Sequence, residues 1–166
     1  MTLAEAAAKA DELAAAGDER ALADLRKEWA DEVESAARHA DYRMRALAYR
    51  ALAQFRFRQK QELLRRGLED ESPACRGSAL LALEALSRDH PSSTNAYRSQ
   101  LHELATRDDH MTVRRLAVLA LRNGSPHRDT IVILQGLAED DEAERALRDT
   151  ARKVAAELTK KARARP

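Results

Sequence analysis

The sequence predicts an all-α fold, a solenoid of about four helical hairpins preceded by an N-terminal helix, with about nine helices in total. Two observations support this. Charged residues make up 34% of the 166-residue chain and aromatic residues only 4%, while Ala and Leu supply most of the apolar content. These residue types lose little rotamer freedom in a helix. The second observation is a nine-residue pattern that recurs four times, and a recurring pattern is typical of repeat proteins.

The repeated pattern is an apolar residue followed by Arg, with Ala four positions after the apolar residue and an Ala or Val with a Leu or Ala at its end. Its copies start at Met44, Cys75, Val113 and Leu147, which are 31, 38 and 34 residues apart. An acid precedes each copy: Asp41, Asp70, Asp108 or Asp109, and Asp140 or Asp141. The apolar and Ala positions share one helix face. A second amphipathic helix lies upstream of each copy, so each repeat is expected to form one helical hairpin.

Capping signals set the expected helix boundaries. Gly17-Asp18 is a helix stop followed by an N-cap, and Asn123-Gly124 is a second stop. Ser72-Pro73 and Ser125-Pro126 each place a capping hydroxyl before a proline at the first helical position. Residues 88–94 form the longest expected loop. The predicted helices span roughly 3–16, 19–37, 41–54, 56–69, 73–88, 95–107, 110–123, 127–139 and 142–162.

The signature of an acid followed by apolar-Arg-x-x-Ala-x-x-Ala-Leu resembles HEAT repeats, especially the short bacterial kind of phycobilisome-lyase-like proteins. The resemblance covers about residues 20–158. It implies a right-handed α-solenoid and one domain over residues 1–166, with a capping helix at 1–17, repeats at 18–158 and a basic tail at 159–166. It also implies that each repeated arginine pairs with the acid of its own or an adjacent repeat. The repeated arginines are Arg45, Arg76, Arg114 and Arg148.

The resemblance implies a non-catalytic scaffold or adaptor whose partner is another protein. The second helix of each hairpin is expected to line the concave side. Its outward positions lie four residues after each repeated arginine, at Tyr49, Leu80, Val118 and Arg152. This row is interpreted either as a partner-binding ridge or as packing between helices.

Uneven charge along the chain suggests an alternative. Residues 1–37 carry a net charge of −6, residues 38–66 carry +7, and the rest of the chain is balanced. The candidate basic patch consists of Arg38, Arg43, Arg50, Arg56, Arg58, Lys60, Arg65 and Arg66. Clustered cations bind phosphates by releasing counterions, so the patch is compatible with a sequence-tolerant nucleic-acid binder. The interpretation we favour is that the patch pairs with the acidic N-terminal helices, in the same chain or in a dimer, and an acidic protein partner is a further alternative.

The sequence contains no pattern that predicts catalytic, cofactor-binding or metal-binding residues. The five histidines are scattered, glycine-rich phosphate loops are missing, and the single cysteine, Cys75, occupies a core position of its repeat. We therefore expect a non-enzyme without a cofactor. The N-terminus lacks the basic region of a signal peptide, and no apolar run approaches the roughly 18 residues of a membrane span. We expect a cytoplasmic protein without membrane contact, in an oligomeric state that the sequence leaves open.

Overall fold

The computed structural model describes residues 1–164, and over this range the fold is all-α without strands. Its ten helices are α1 (Leu3–Ala16), α2 (Glu19–Ala37), α3 (Tyr42–Gln54), α4 (Gln61–Leu68), α5 (Pro73–Ser87), α6 (Pro91–Asn95), α7 (Arg98–Arg107), α8 (Met111–Leu121), α9 (Arg128–Ala138) and α10 (Arg145–Ala164). The predicted fold class is confirmed, with one helix more than the nine expected.

The chain forms two compact units, the first spanning Met1–Leu86 and the second beginning at Ser87. In the first unit, α1 packs against α2 and α3, and α4 packs against the same two helices. In the second unit, α7 packs against α8 and α9, and α10 packs against α8 and α9. The four predicted hairpins are therefore α2–α3, α4–α5, α7–α8 and α9–α10, with α1 as the N-terminal helix.

The first helix boundary follows the predicted capping signals. Thr2 forms a capping box, in which its hydroxyl accepts from Glu5 N at 3.2 Å and the Glu5 carboxylate accepts from Thr2 N at 2.7 Å. Gly17 ends α1 in the left-handed region at φ 75°, which glycine adopts without steric cost. Asp18 then caps α2 by accepting from Ala21 N at 3.1 Å.

Three predicted helix starts come too early and one predicted cap is wrong; α7 and α10 begin at Arg98 and Arg145, three residues later than predicted. The helix expected at 56–69 begins only at Gln61, because the chain turns at Arg56, whose φ of 58° does not fit a right-handed helix. The buried rings of Phe55 and Phe57 stack in this turn with centroids 5.3 Å apart. Ser125 does not cap α9; instead the His127 side chain accepts from Asp129 N at 3.3 Å, two residues later.

The expected loop at residues 88–94 contains the additional one-turn helix α6. Pro91 occupies its first turn, where the missing N–H costs nothing. The Thr94 side chain is buried, and its hydroxyl donates to Ala120 O at 3.5 Å. Asn95 exchanges two hydrogen bonds with Ser125, at 2.9 Å and 3.0 Å. These contacts to the turn after α8 fix a segment that has no hydrophobic periodicity of its own.

Helix α4 lies unusually close to its neighbours in the first unit. A Cβ added at Gly67 would lie 2.6 Å from Ala79 Cβ and 3.0 Å from Tyr49 Cδ1. Only a residue without a side chain fits between α3 and α5 at this point. The Ala positions of the repeated pattern also allow helices to pack closely, and Ala48 and Ala79 are fully buried.

The predicted basic tail at 159–166 is helical where it is described, because α10 continues to Ala164. Residues 165 and 166 lie outside the described residues. The predicted capping helix at 1–17 corresponds to α1, and the assignment of residues 1–166 to one domain stays a prediction.

Candidate functional site

Arg45 extends from α3 to the acid that precedes the next repeated segment. Its Nε donates to Asp70 Oδ2 at 2.9 Å and its Nη2 donates to Oδ1 at 3.1 Å. Its Nη1 donates to the carbonyls of His39 at 3.0 Å and Ala40 at 2.9 Å. The side chains of Arg45 and Asp70 are 11% and 6% exposed. This bidentate pair therefore joins the turn before α3 to the turn before α5.

The protonation states around Asp70 are fixed by their surroundings. Burial opposes the charge of Asp70, but hydrogen bonds from Arg45 and from Ser72 N, the latter at 2.9 Å, outweigh it and lower its pKa. Burial raises the pKa of the Tyr49 hydroxyl, and the charge of Asp70 adds to this effect. Asp70 thus stays ionised and Tyr49 neutral at ordinary pH, which is the behaviour of a structural pair rather than of an acid–base catalyst.

The second and third repeated arginines bind backbone carbonyls. Arg76 Nη1 donates to the carbonyls of residues 70 and 71, at 2.9 and 3.1 Å. Arg114 Nε donates to Ala105 O at 2.9 Å, and its Nη1 lies 3.6 Å from Met111 Sδ. In these two copies the repeated arginine therefore binds carbonyls of the preceding helix or of the turn that follows it.

The fourth repeated arginine is the most loosely held. Arg148 Nη1 lies 3.9 Å from Asp141 Oδ1, and Asp141 is fully exposed. The predicted pairing with an acid is thus confirmed at Arg45 and, over a longer distance, at Arg148. Four residues on, Arg152 contacts Asp149 at 3.0 Å and donates to Ala138 O at 3.2 Å, with a side chain that is 60% exposed.

The predicted outward row is wrong at three of its four positions. Tyr49, Leu80 and Val118 are fully buried, and the Tyr49 hydroxyl donates to Ala37 O at 3.3 Å. Residues four apart share a helix face, so a position four after an inward-pointing arginine also points inward. The alternative interpretation, packing between helices, is correct for these three residues. Arg152 is the one member with an exposed side chain.

Acids of the first two helices neutralise part of the candidate basic patch. Lys60 Nζ and Arg38 Nη1 each lie 2.8 Å from a Glu34 oxygen, and Arg56 Nη1 lies 2.9 Å from Asp11 Oδ1. The hydrogen bond from Lys60 is the largest cause that lowers the pKa of Glu34, and Arg38 adds to it. For these three cations, the predicted pairing within the chain is confirmed.

Four of the other five patch residues are exposed, and Arg65 is partly exposed. Arg43 and Arg65 contact acids two and three residues away in sequence, at 3.3 Å and 3.8 Å. Arg50, Arg58 and Arg66 are exposed. The patch therefore divides into three cations bound to the acidic helices and five around them.

A second candidate site, which we call the α9–α10 groove, lies in the second unit. It encloses about 620 Å³ between the end of α9 and the middle of α10. Its floor is formed by Ala138 and Ala155, which are 7% and 5% exposed, together with the exposed Ala156. Small side chains at these positions leave room for another helix to approach closely.

Three cations line the edges of the α9–α10 groove. They are Arg152, Lys160 and Arg163, with Glu139 as the one acid in the lining. Lys160 and Arg163 are exposed and form no ion pair with another described residue. Sequence reasoning found only Arg152. The signal for the other two was present, because residues 8 and 11 positions after Arg152 fall on the same face of a helix.

Chemistry-bearing residues elsewhere have structural contacts. Among residues 1–164, no group of three or more His, Cys, Asp or Glu side chains is placed to hold a metal ion. Cys75 is buried, its thiol donates to Tyr42 O at 3.2 Å, and burial raises its pKa. His102 Nε2 lies 2.8 Å from Thr130 Oγ1, and burial is the main cause that lowers its pKa. The described residues also contain no helix long and apolar enough to cross a membrane.

Comparison with known proteins agrees with the repeated segments. A family model described as HEAT repeats matches residues 30–122, more than half of the chain. The chain belongs to the HEAT-repeat family. Repeats of this family generally mediate contacts between proteins. None of the curated proteins compared with the chain matches it.

The HEAT match covers the chain from the middle of α2 to the end of α8. The first three repeated arginines lie inside the matched range and the fourth, Arg148, lies beyond it. The α9–α10 groove also lies beyond it.

Proposed function

We propose that this chain is a non-catalytic, protein-binding HEAT-repeat scaffold, and that the α9–α10 groove is its contact surface. The observation that carries the proposal is the pairing of an apolar floor at Ala138 and Ala155 with two exposed cations, Lys160 and Arg163, that have no acid partner among the described residues. An apolar centre with a charged rim is the anatomy of protein–protein contacts.

The proposal excludes chemistry at the groove. Its lining contains no His, Cys or Ser, its one hydroxyl, that of Thr159, donates to Ala155 O at 2.7 Å, and its one acid, Glu139, has no second carboxylate among the lining residues. Such a set offers no nucleophile with an adjacent base. The chain has a single cysteine, so it does not depend on a disulfide within the chain, as is usual for proteins of the cytoplasm. We further propose that the protein acts there.

Site-specific photo-crosslinking tests this function. A benzophenone amino acid replaces Ala156 on the groove floor, and a control replaces Ala146, which is also exposed on α10 but outside the groove lining. In a source lysate, we expect the probe at Ala156 to yield a discrete crosslinked protein that excess wild-type protein competes away. Excess Lys160→Glu/Arg163→Glu protein should compete poorly. The same products from both probe positions would count against the groove.

The nucleic-acid alternative has less support, because Arg38, Arg56 and Lys60 are engaged by acids of the same unit. Anisotropy of labelled duplex DNA, measured at about 50 and 200 mM salt, checks it. Binding through several phosphates loses orders of magnitude in affinity across that range. We expect no binding at the lower salt, and strong salt-dependent binding would favour the basic patch instead.

A further inference from the structure

Helix α2 carries an acidic stripe on its solvent side. The stripe consists of Asp24, Glu28, Asp31 and Glu32. Spacings of four, seven and eight residues place all four carboxylates on one helix face. All four residues are exposed, and none forms an ion pair with another described residue. They differ in this from Asp11 and Glu34, whose charges are used within the first unit.

The acidic stripe and the cations of the α9–α10 groove have opposite charges and rows of equal length. Asp24 and Glu32 lie eight residues apart on α2, and Arg152 and Lys160 lie eight residues apart on α10. At 1.5 Å per residue both rows extend about 12 Å. Two helices lying side by side can therefore place several carboxylates opposite several cations at once.

We propose that the α9–α10 groove binds the acidic stripe on α2 of a second copy of this chain. The inference rests on the proposed function of the groove as a protein-binding surface and names its occupant. The contact joins two different surfaces, so two copies can exchange it reciprocally in a closed dimer, or successive copies can continue it head to tail. The HEAT scaffold is then a self-assembling one.

A helix suits this groove better than a nucleic acid does. The Ala floor lets a helix approach closely, whereas the lining contains no aromatic ring on which a base could stack. Glu139 would repel a phosphate backbone, whereas α2 carries the basic residues Arg20 and Lys27 beside the stripe.

The association is expected to be weak and sensitive to salt. Each exposed ion pair contributes little, and a Debye length of about 10 Å at 0.1 M salt screens them further. Sedimentation velocity of the wild-type chain over a range of concentrations should show self-association at about 50 mM salt. Raising the salt to about 500 mM should return the protein to the monomer.

Charge reversal on each surface tests the pairing. The groove-reversed variant is Lys160→Glu/Arg163→Glu, and the stripe-reversed variant is Glu28→Lys/Asp31→Lys. Each alone turns attraction into repulsion, so each should associate about tenfold or more weakly than wild type. An equimolar mixture should associate again, because the reversed stripe is then complementary to the reversed groove. The wild-type net charge is +1, so the groove-reversed variant carries −3 and the stripe-reversed variant +5, and opposite net charges alone favour association on mixing. One chain with all four reversals keeps the net charge at +1 and should self-associate like wild type.

A matched control reverses two cations of the same helices outside the groove, Lys153→Glu/Arg128→Glu. It should self-associate like wild type, and circular dichroism should show equal helicity for all variants. A monomeric wild type at low salt, an equal loss in the control, or no recovery on mixing would each overturn the self-contact. If the crosslinking experiment at Ala156 still captures another protein, the proposed function stands while this inference falls.

Discussion

The two units use the same repeated arginine in different ways. In the first unit Arg45 ends on the buried carboxylate of Asp70, whereas in the second unit Arg114 ends on the carbonyl of Ala105 and the sulfur of Met111. What the two share is a backbone carbonyl at the end of, or just after, the preceding helix. The repeated position thus brings the arginine to a backbone carbonyl in both units, and Asp70 adds a buried carboxylate at Arg45.

The units also differ in whether their surface cations are paired with acids. In the first unit, acids of α1 and α2 bind Arg56 and Lys60. In the second unit, Lys160 and Arg163 line a groove without an acid partner among the described residues. Paired charges act within the folded unit, whereas unpaired charges of one sign are available to bind another molecule. The contrast can be tested by removing the elements that are specific to each unit.

The largest effect is expected from Asp70→Ala in the first unit. It leaves Arg45 buried without its carboxylate, and breaking a buried pair on one side typically costs about 3–5 kcal/mol. The control is Asp141→Ala, which removes the exposed acid 3.9 Å from Arg148 and should leave stability unchanged. Urea unfolding followed by circular dichroism measures both. Equal midpoints for the two variants would show that the carboxylate of Asp70 adds nothing to the carbonyl contacts.

The next effect is expected from Gly67→Ala, also in the first unit. The added methyl would lie 2.6 Å from Ala79 Cβ, so the packing of α4 must shift. Overpacking a close contact typically costs about 1–3 kcal/mol, more than the roughly 1 kcal/mol that Ala gains over Gly in a helix. Thermal unfolding should therefore show a lower midpoint. A raised midpoint would mean that α4 can move away at no cost.

The dependence of stability on pH should differ between the units. The folded state lowers the pKa of Asp70, so its contribution is present above the unfolded value near 3.9 and is lost as the pH falls further. Burial, the charge of Arg98 and the nearby His127 lower the pKa of His102 against the pull of Asp129, so the neutral ring is favoured in the fold. Its contribution is present above about pH 6.5 and declines as the pH falls below that value.

Hydrogen exchange at pH 7.5 and 5.5 separates the two effects. One proton changes the free energy of unfolding by at most about 1.4 kcal/mol per pH unit. We expect amides of α7 and α9 to lose protection at the lower pH, while those of α3 and α4 keep it. In the variant His102→Gln, the loss in α7 and α9 should disappear. A loss that persists in this variant would assign the pH dependence to another group.

The sequence predicted what local spacing determines. Four hairpins and the burial of Ala48 and Ala79 follow from the helical period and from small residues at fixed positions. The turn at Arg56 could not be predicted, because a positive φ in a non-glycine residue depends on tertiary contacts: Phe55 and Phe57 stack in the turn, and the Arg56 guanidinium binds Asp11, 45 residues away in sequence.

The candidate site could be predicted only in part, because the groove depends on tertiary packing. The outward direction predicted for the row through Tyr49 is wrong for a reason that the helical period could have shown, because Tyr49 lies one turn after Arg45, whose pairing with an acid is itself predicted. The cations of the α9–α10 groove share a helix face that spacing alone reveals. Their functional meaning depends on α9 leaving an open floor beside them, which is a tertiary property.

The smallest expected effect, and the only gain, comes from Gly136→Ala in the second unit. Gly136 is a helical glycine like Gly67, but a Cβ placed there meets no described atom within 4 Å. The substitution should therefore raise stability by about 0.5–1 kcal/mol, because alanine restricts the unfolded chain and favours the helix. Thermal unfolding of both variants under the same conditions gives the comparison directly. Opposite signs would show that α4 is fixed by close packing on both sides while α9 keeps an open face beside the groove, whereas a loss at Gly136 would mean that something already covers that face in solution.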